Sequence, residues 1–405
     1  MSQTRTVRAT EHGDPGPNTS PAGQVRSLLN LIDRRILVGL LVFAVLAIIF
    51  HLESDGVFFT TRNLSLLLRQ AAAVAVLAAG VSILMVMAEI DLSIGSAVFL
   101  TGIVAAKVQT EAGAPPIVAV IAAMAAGCVL GAWQGFWVVR LAVPSFIVTL
   151  AGLLAFRGIG LLWTDANTVS GLGSSYADLS EAFLPVQVSY IALLVLLGAS
   201  VVVMVRRARF DRRHGVPVET NQLVLRLVVA AAFFAWLGWI AGGFLGIPTA
   251  LIWVAVLGVA LWFLMTKTTF GRNAYLIGSN REAARLSGIN VPRQIFLGFV
   301  LMGAIYGIGG VLTTARLGSS TPGLGQNLEL DAIAAAVIGG TSLAGGIGTI
   351  PGVVAGALLL ATIDNGMSLL NFSSFAQLVV KGLVLLLALA ADTWAMRRRR
   401  QPTRE

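Results

Sequence analysis

Two carboxylates that are close in sequence are the side chains best suited to proton or ligand chemistry. Glu89 and Asp91 belong to the segment 88–96, AEIDLSIGS, between two apolar stretches. At a cytoplasmic surface they would be solvated or would cap the helix that begins near Ser93, because anions are favoured at a helix N-terminus. Inside a bilayer they would have to face protein or water and would be candidates for a pathway or a proton relay. We favour capping and helix positioning, with direct ligand contact as the alternative.

Other polar side chains fall inside apolar stretches, where an unpaired charge is costly and needs a partner. Carboxylates available as partners are Glu89, Asp91, Asp331 and Asp364, and structural pairing or snorkelling to the membrane interface is the expected role. A sugar-sized ligand would be held by hydroxyls, amides and stacking rings, which points to Ser145, Thr149, Asn365 and Trp163. Lys381 is a further charge within an apolar stretch. The translocation-pathway candidates are Arg69, Gln70, Glu89, Asp91, Ser93, Ser145, Thr149, Arg157, Asp364 and Asn365.

The sequence lacks the motifs of common enzyme and metal sites. It contains neither G-x-x-x-x-G-K-[ST] nor H-E-x-x-H, its three histidines are at 12, 51 and 214, and its one cysteine is Cys128. The chain therefore has no nucleotide-binding loop with which to hydrolyse ATP. We predict a protein that is not an enzyme, with no catalytic residue, metal site or cofactor of its own.

The composition is that of an integral membrane protein. Of the 405 residues, 57% are hydrophobic and 12% are charged, whereas charged residues make up about a quarter of a soluble domain. Apolar runs long enough to cross a bilayer as helices recur along most of the chain. The expected fold is all-α and polytopic, with about twelve transmembrane helices at 36–52, 64–88, 93–109, 116–138, 144–163, 187–205, 224–243, 249–265, 295–315, 332–347, 351–368 and 374–395.

The polar ends of the chain and its basic residues indicate the domain organisation. Residues 1–34 are predicted to be a disordered cytoplasmic tail, 35–395 the transmembrane domain, and 396–405 a basic cytoplasmic tail. With the N-terminus inside, most arginines and lysines fall in cytoplasmic segments, as the positive-inside rule requires. The net charge of +9 is thus explained by topology and lipid contact, and no nucleic-acid partner is expected. Glycine-rich sequence makes the boundaries between 332 and 368 uncertain, with a re-entrant segment as the alternative.

Residues 279–288, SNREAARLSG, have the features of a short capped helix between long apolar segments. Ser279 and Glu282 match the S-x-x-E capping box, Arg285 is three residues after Glu282, and Gly288 is a C-terminal stop. An isolated helix this short is marginal in water and needs a docking surface. The predicted docking helix comprises Ser279, Asn280, Arg281, Glu282, Ala283, Ala284, Arg285, Leu286, Ser287 and Gly288. An ordinary interfacial loop helix is the alternative.

Four stretches together resemble the permease subunits of bacterial monosaccharide ABC importers, the ribose and xylose class. They are 89–96, 144–150 with the following Arg157 and Gly158, 271–289, and 334–348, and the likeness covers about residues 60 to 395 in collinear order. The segment Asp364 to Ser368 and an extra helix pair around the basic loop 206–222 are more similar to the xylose permeases. Glu89 departs from the ribose pattern, which often has glycine there.

The resemblance implies an ATP-driven importer of a pentose such as xylose in the bacterial plasma membrane. Residues 279–288 would be the coupling helix, which docks into a separate ATP-binding subunit. That subunit would bind the ATP and magnesium. A periplasmic sugar-binding protein would dock on the outer face, and two permease copies would form the pore. A ribose-specific permease, a proton-coupled secondary transporter that uses Glu89 or Asp91, and a channel or structural membrane protein are the alternatives.

Overall fold

The computed structural model describes residues 34–215 and 220–400, with side chains from residue 43 to 390 apart from 388. The predicted N-terminal tail, except for its last residue, lies outside the described residues, as do residues 401–405 of the predicted C-terminal tail. Residues 396–400, which the sequence assigned to that tail, continue the last helix. The described residues form fifteen helices and one pair of two-residue strands. The all-α class is confirmed.

The elements follow one another with short connections. The helices are α1 Arg34–Glu53, α2 Thr61–Val86, α3 Ile94–Thr110, α4 Pro116–Arg140, α5 Ser145–Trp163, α6 Ser174–Glu181, α7 Val186–Arg213, α8 Thr220–Gly243, α9 Thr249–Lys267, α10 Thr269–Ser279, α11 Arg281–Leu286, α12 Val291–Leu317, α13 Leu328–Ile338, α14 Ile350–Leu369 and α15 Ser374–Arg400. The strands are β1 Val169–Ser170 and β2 Ser319–Ser320, which pair antiparallel.

Eight of these helices are long and apolar enough to cross a membrane: α2, α4, α5, α7, α8, α9, α12 and α14. Three shorter apolar helical stretches are Phe43–Glu53 in α1, the whole of α3, and Ser374–Leu387 in α15. Each of the eleven coincides with a segment predicted from the sequence. Over the described part of the chain the structure therefore supports a multi-pass membrane protein, with eight spans that meet the length criterion.

The continuous transmembrane helix predicted at 332–347 is wrong. The helix there, α13, has 11 residues, which at 1.5 Å per residue is about 16 Å and too short to cross about 30 Å of hydrocarbon. The residues that follow it adopt positive φ angles at Gly340, Gly345 and Gly346, a conformation that ends a right-handed helix. The glycine-rich stretch 339–349 is therefore a connection that leads into α14.

Helices α2, α12 and α14 form the centre of the bundle. In their most apolar stretches of 18 residues, 78%, 72% and 61% of the residues are buried. Helices α7, α8 and α9 are peripheral, and only 6% to 17% of the residues in their most apolar stretches are buried. The exposed apolar faces of these outer helices suit contact with the hydrocarbon chains of lipids. The described helices thus enclose a core, and both ends of the non-helical segment between α2 and α3 are buried in it.

Close contact between α4 and α12 depends on glycine. A Cβ atom at Gly127 of α4 would overlap the carbonyl oxygen of Gly303 in α12, and one at Gly131 would overlap the carbonyl oxygen of Phe299. Small residues allow transmembrane helices to approach until their backbones touch. This pair makes the most extensive helix contact among the described elements and holds α12 in a fixed position beside α4.

Candidate functional site

The polypeptide between α2 and α3, residues 87–93, is not helical, and it carries the carboxylate of Asp91 into the protein interior. Asp91 is fully buried. Its Oδ1 accepts hydrogen bonds from the backbone N–H of Ser93 at 2.9 Å and from the Ser93 hydroxyl at 2.8 Å, and its Oδ2 accepts one from the Tyr306 hydroxyl of α12. The Gln134 side chain of α4 donates to the Ser93 hydroxyl at 2.5 Å and lies 3.2 Å from the Tyr306 hydroxyl through its Oε1. The polar groups of this cluster satisfy one another.

Two hydroxyls proposed as sugar contacts bind the backbone of the same segment. The Ser145 hydroxyl accepts a hydrogen bond from the N–H of Ile90 at 3.2 Å, and the Thr149 hydroxyl donates to the carbonyl of Ile90 at 3.2 Å. Backbone groups without a partner cost several kcal/mol in an apolar medium, so a non-helical segment inside the bundle needs such partners. Both side chains from α5 therefore stabilise the interruption between α2 and α3.

Glu89 connects this interruption to the predicted docking helix. Its side chain is 5% exposed and forms an ion pair with Arg281, the first residue of α11. The backbone nearby is also joined, because the N–H of Gly346 donates to the carbonyl of Val86 at 2.8 Å. The Tyr275 hydroxyl of α10 donates to the carbonyl of Gly348 at 2.7 Å. The end of α2, the helices α10 and α11, and the glycine-rich connection before α14 thus meet in one place.

The structure corrects the predicted start of the docking helix. Ser279 is the last residue of α10, and its hydroxyl donates to the carbonyl of Tyr275 at 2.8 Å, so it does not cap α11. Asn280 is extended, with φ −160° and ψ 101°, and its side chain accepts the N–H of Ala283 at 3.0 Å as the N-cap. Residues 279–288 therefore contain the end of one helix and a second helix of six residues. Gly288 has φ +81° and follows its end, as expected.

One face of α11 is exposed in the described structure. Glu282, Arg285 and Leu286 are exposed, and Leu286 is 80% exposed. Residues three and four positions apart lie on the same side of a helix, so these three side chains form one surface. Ala284 is buried on the opposite side, and Arg281 contacts Glu89. Glu282 and Arg285, which the sequence placed three residues apart, do not form a salt bridge among the described residues.

Two of the remaining pathway candidates, Arg69 and Arg157, make structural contacts. Arg69 forms an ion pair with Glu181 of α6, and Gln70, next to it, is half-buried. The Arg157 guanidinium donates to the carbonyls of Pro322 at 3.1 Å and Leu324 at 2.8 Å.

Two further sets of contacts join different helices. Lys381 of α15 lies 2.9 Å from an Asp364 oxygen and 3.0 Å from an Asp331 oxygen. The amides of Asn365 and Asn63 exchange hydrogen bonds at 2.8 Å and 3.0 Å. The expectation of structural pairing agrees with these contacts, although the partners Glu181, Asn63, Gln134 and Tyr306 were not foreseen.

Within the parts of the chain that the structure covers, no group of three or more His, Cys, Asp or Glu side chains is arranged to hold a metal ion.

Comparison with known proteins agrees with the helical architecture. Residues 63–389 match the family described as "Branched-chain amino acid transport system / permease component". The chain belongs to this permease family. Four-fifths of the sequence lies in the matched region, which includes the interrupted segment after α2, the short helix α11 and the helices that surround them.

The permease is similar to several curated proteins over nearly its whole length. It is 40% identical to "Xylose transport system permease protein XylH" of Haemophilus influenzae, over 90% of this chain and 98% of the relative, and 39% identical to the Escherichia coli K12 protein of that name, over 91% and 94%. It is 35% identical to "Ribose import permease protein RbsC" of Escherichia coli K12, over 89% and 94%. No solved structure matches the chain. The resemblance to sugar ABC permeases is thereby confirmed.

The site has two parts, one inside the helix bundle and one at its end. Inside the bundle, the Asp91 cluster is a closed set of hydrogen bonds between the segment 87–93, α4 and α12. At the end of the bundle, α11 presents a charged and apolar surface and is joined to the same segment through Glu89. The segment 87–93 therefore contacts both α11, through Glu89, and the bundle core, through Asp91.

Proposed function

We propose that this chain is the membrane-spanning subunit of an ATP-driven importer that translocates a monosaccharide, D-xylose, across the bacterial plasma membrane. The observation that carries the proposal is 39% to 40% identity, over almost the full length of both chains, to two permeases named for xylose transport. The ribose permeases of Escherichia coli and Bacillus subtilis are 35% and 34% identical, which supports xylose over ribose as the substrate.

The driving force comes from a separate ATP-binding subunit, which binds ATP and magnesium and docks on α11. The exposed Glu282, Arg285 and Leu286 suit this role, because an apolar side chain flanked by charges provides both burial and specificity at an interface. A periplasmic sugar-binding protein delivers the substrate to the opposite face, and a second copy of the permease completes the pore. Lipid surrounds the apolar outer helices.

The ion pair between Arg281 and Glu89 transmits the movement of the ATP-binding subunit. A displacement of α11 pulls on Glu89 and on the segment 87–93, in which Asp91 is bound to Tyr306 of α12. A partner shifts a two-state equilibrium only through different affinities for the two states. Docking of the nucleotide-bound partner therefore favours one orientation of the pore by stabilising one position of α11.

We place α11 and both termini on the cytoplasmic side because of the distribution of basic residues. With eleven apolar helices, α13 and the connection 339–349 together make the twelfth crossing that this placement requires. The end of α4, the end of α9 and the start of α12 carry Arg140, Lys267 and Arg293, and α10 and α11 carry Arg272 and Arg285. Basic residues gather on the cytoplasmic side of membrane proteins. Because Arg281 also binds Glu89 just after α2, the end of α2 belongs to the same side.

Transport in reconstituted vesicles tests the proposal. The permease and its ATP-binding subunit are placed in proteoliposomes, and uptake of radiolabelled D-xylose is measured with and without the binding protein and Mg·ATP. We expect accumulation only when all components are present, and competition by unlabelled xylose that exceeds competition by ribose. Equal competition by ribose would remove the assignment to xylose. Accumulation by the chain alone that collapses with a proton ionophore would show a secondary transporter instead.

A further inference from the structure

An open groove of about 710 Å³ lies where α4 ends and α12 begins. A smaller groove of about 340 Å³ continues from it and shares Asn290 and Arg293. None of the ten pathway candidates named from the sequence lines either groove, so these spaces are separate from the Asp91 cluster. The side chains that shape the larger groove are Phe136, Val139, Arg140, Asn290, Arg293 and Phe296.

The two helices contribute to this groove in the same way. Helix α4 ends at Arg140 and places Phe136 one turn further into the helix, and α12 begins near Arg293 and places Phe296 one turn further in. Each helix therefore provides a guanidinium at its end and an aromatic ring nearer the middle of the bundle. The two helices are in close contact beside the groove, because a Cβ atom at Gly135 of α4 would lie 3.0 Å from the Phe296 ring.

The charge of the groove is uncompensated. Arg140 and Arg293 are both exposed, neither forms a salt bridge with another described residue, and no lining residue is acidic. A guanidinium binds phosphate oxygens in a bidentate manner, and basic pockets between transmembrane helices bind anionic headgroups. An amphiphile with an anionic head and an apolar chain matches both the two arginines and the two phenylalanines.

We propose that this groove binds one anionic phospholipid, with its phosphate between Arg140 and Arg293 and the beginning of an acyl chain against Phe136 and Phe296. The lipid would lie beside Asn290, four residues after the end of α11. The lipid would belong to the cytoplasmic leaflet, and only this placement rests on the orientation proposed above. Binding itself does not depend on the transported sugar or on the coupling role of α11.

Lipid titration of the purified full-length permease tests this site. Native mass spectrometry in a lipid-free detergent measures the apparent affinity for phosphatidylglycerol and, separately, for phosphatidylcholine. We expect phosphatidylglycerol to bind more tightly, Arg140→Gln and Arg293→Gln each to weaken it about fivefold, and the double variant about 25-fold. The matched control Arg272→Gln removes an exposed arginine of α10 outside both grooves and should change the affinity by less than twofold.

Two further measurements separate the lipid from other occupants. Arg140→Lys with Arg293→Lys keeps the charge but loses the bidentate geometry, and we expect an intermediate affinity and an unchanged melting temperature. Glycerol phosphate, which has the headgroup chemistry without acyl chains, should not displace the lipid at equal concentration. Equal affinity for both lipids would overturn the proposal. A double variant that keeps its lipid selectivity but no longer co-purifies with the ATP-binding subunit would assign the groove to that protein and also overturn it.

Discussion

Breaking the ion pair between Arg281 and Glu89 should uncouple ATP hydrolysis from transport. Glu89 is 5% exposed and Arg281 is 56% exposed, so the pair is intermediate between a surface and a buried salt bridge. Surface pairs contribute about 0 to 1 kcal/mol, whereas removing one partner of a buried pair costs about 3 to 5 kcal/mol. Discounting for the solvent around Arg281, we expect a coupling free energy of about 1 to 2 kcal/mol, which is roughly a 5- to 30-fold effect.

The assay compares Arg281→Gln and Glu89→Gln with the wild type in proteoliposomes that contain the ATP-binding subunit and the binding protein. Both variants should take up xylose about 5- to 30-fold more slowly while the ATP-binding subunit still co-purifies, because the exposed face of α11 is unchanged. The exchanged pair Glu89→Arg with Arg281→Glu should recover part of the loss. Arg206→Gln, which removes an exposed arginine near the end of α7, is the matched control and should transport normally.

Normal uptake by both single variants would refute the role of this ion pair. Loss of uptake together with loss of the ATP-binding subunit from the complex would also refute it, since the defect would then be in docking rather than in transmission. Recovery by the exchanged pair would show that the two side chains act through their ion pair, and retention of the ATP-binding subunit in the single variants separates transmission from docking.

Three further variants test the surrounding structure. Glu282→Arg reverses a charge on the exposed face of α11 and should abolish transport and co-purification of the ATP-binding subunit while membrane insertion is intact; normal sugar uptake would contradict the docking role. Tyr306→Phe removes a hydrogen bond to a buried carboxylate and should destabilise the protein by about 1.5 to 3 kcal/mol, read as a lower melting temperature in detergent. Gly303→Leu should prevent α4 from packing on α12 and give aggregated protein on size-exclusion chromatography, whereas Gly198→Leu, at a position with open space around it, should remain monodisperse.

Much of the fold follows from the apolar segments of the sequence. Eleven of the twelve predicted segments coincide with apolar helices, because a helix that crosses lipid needs a continuous apolar run and such runs are easily recognised. The segment 332–347 was wrong for the same reason. Its apolar composition resembles a span, but Gly340, Gly345 and Gly346 adopt positive φ angles, and composition alone does not distinguish a short helix followed by a connection from a continuous transmembrane helix.

The site was harder to predict, because its contacts join positions far apart in the chain. Glu89 and Arg281 are 192 residues apart, and Asp91 and Tyr306 are 215 residues apart. The sequence correctly marked both carboxylates as residues that need partners, since isolated charges are costly in an apolar surrounding. It did not indicate which partner each had. The cap of α11 was displaced by one residue because Ser279 and Asn280 are both good N-cap residues, and only the backbone conformation decides between them.

The closed hydrogen-bond cluster of Asp91 argues against a proton relay and yields a last prediction. In Asp91→Asn the amide can still accept from Ser93, while Tyr306 can turn its hydroxyl proton toward Gln134 Oε1, 3.2 Å away, and accept from the new amide group. The stability loss should therefore be small, about 1 kcal/mol or less, and ATP-driven xylose uptake should stay within about twofold of the wild type. A proton relay needs a group that ionises during each cycle, which asparagine does not provide. Abolished uptake by a well-folded Asp91→Asn permease, together with sensitivity of the wild type to a proton ionophore, would therefore favour proton coupling over an ATP-driven importer.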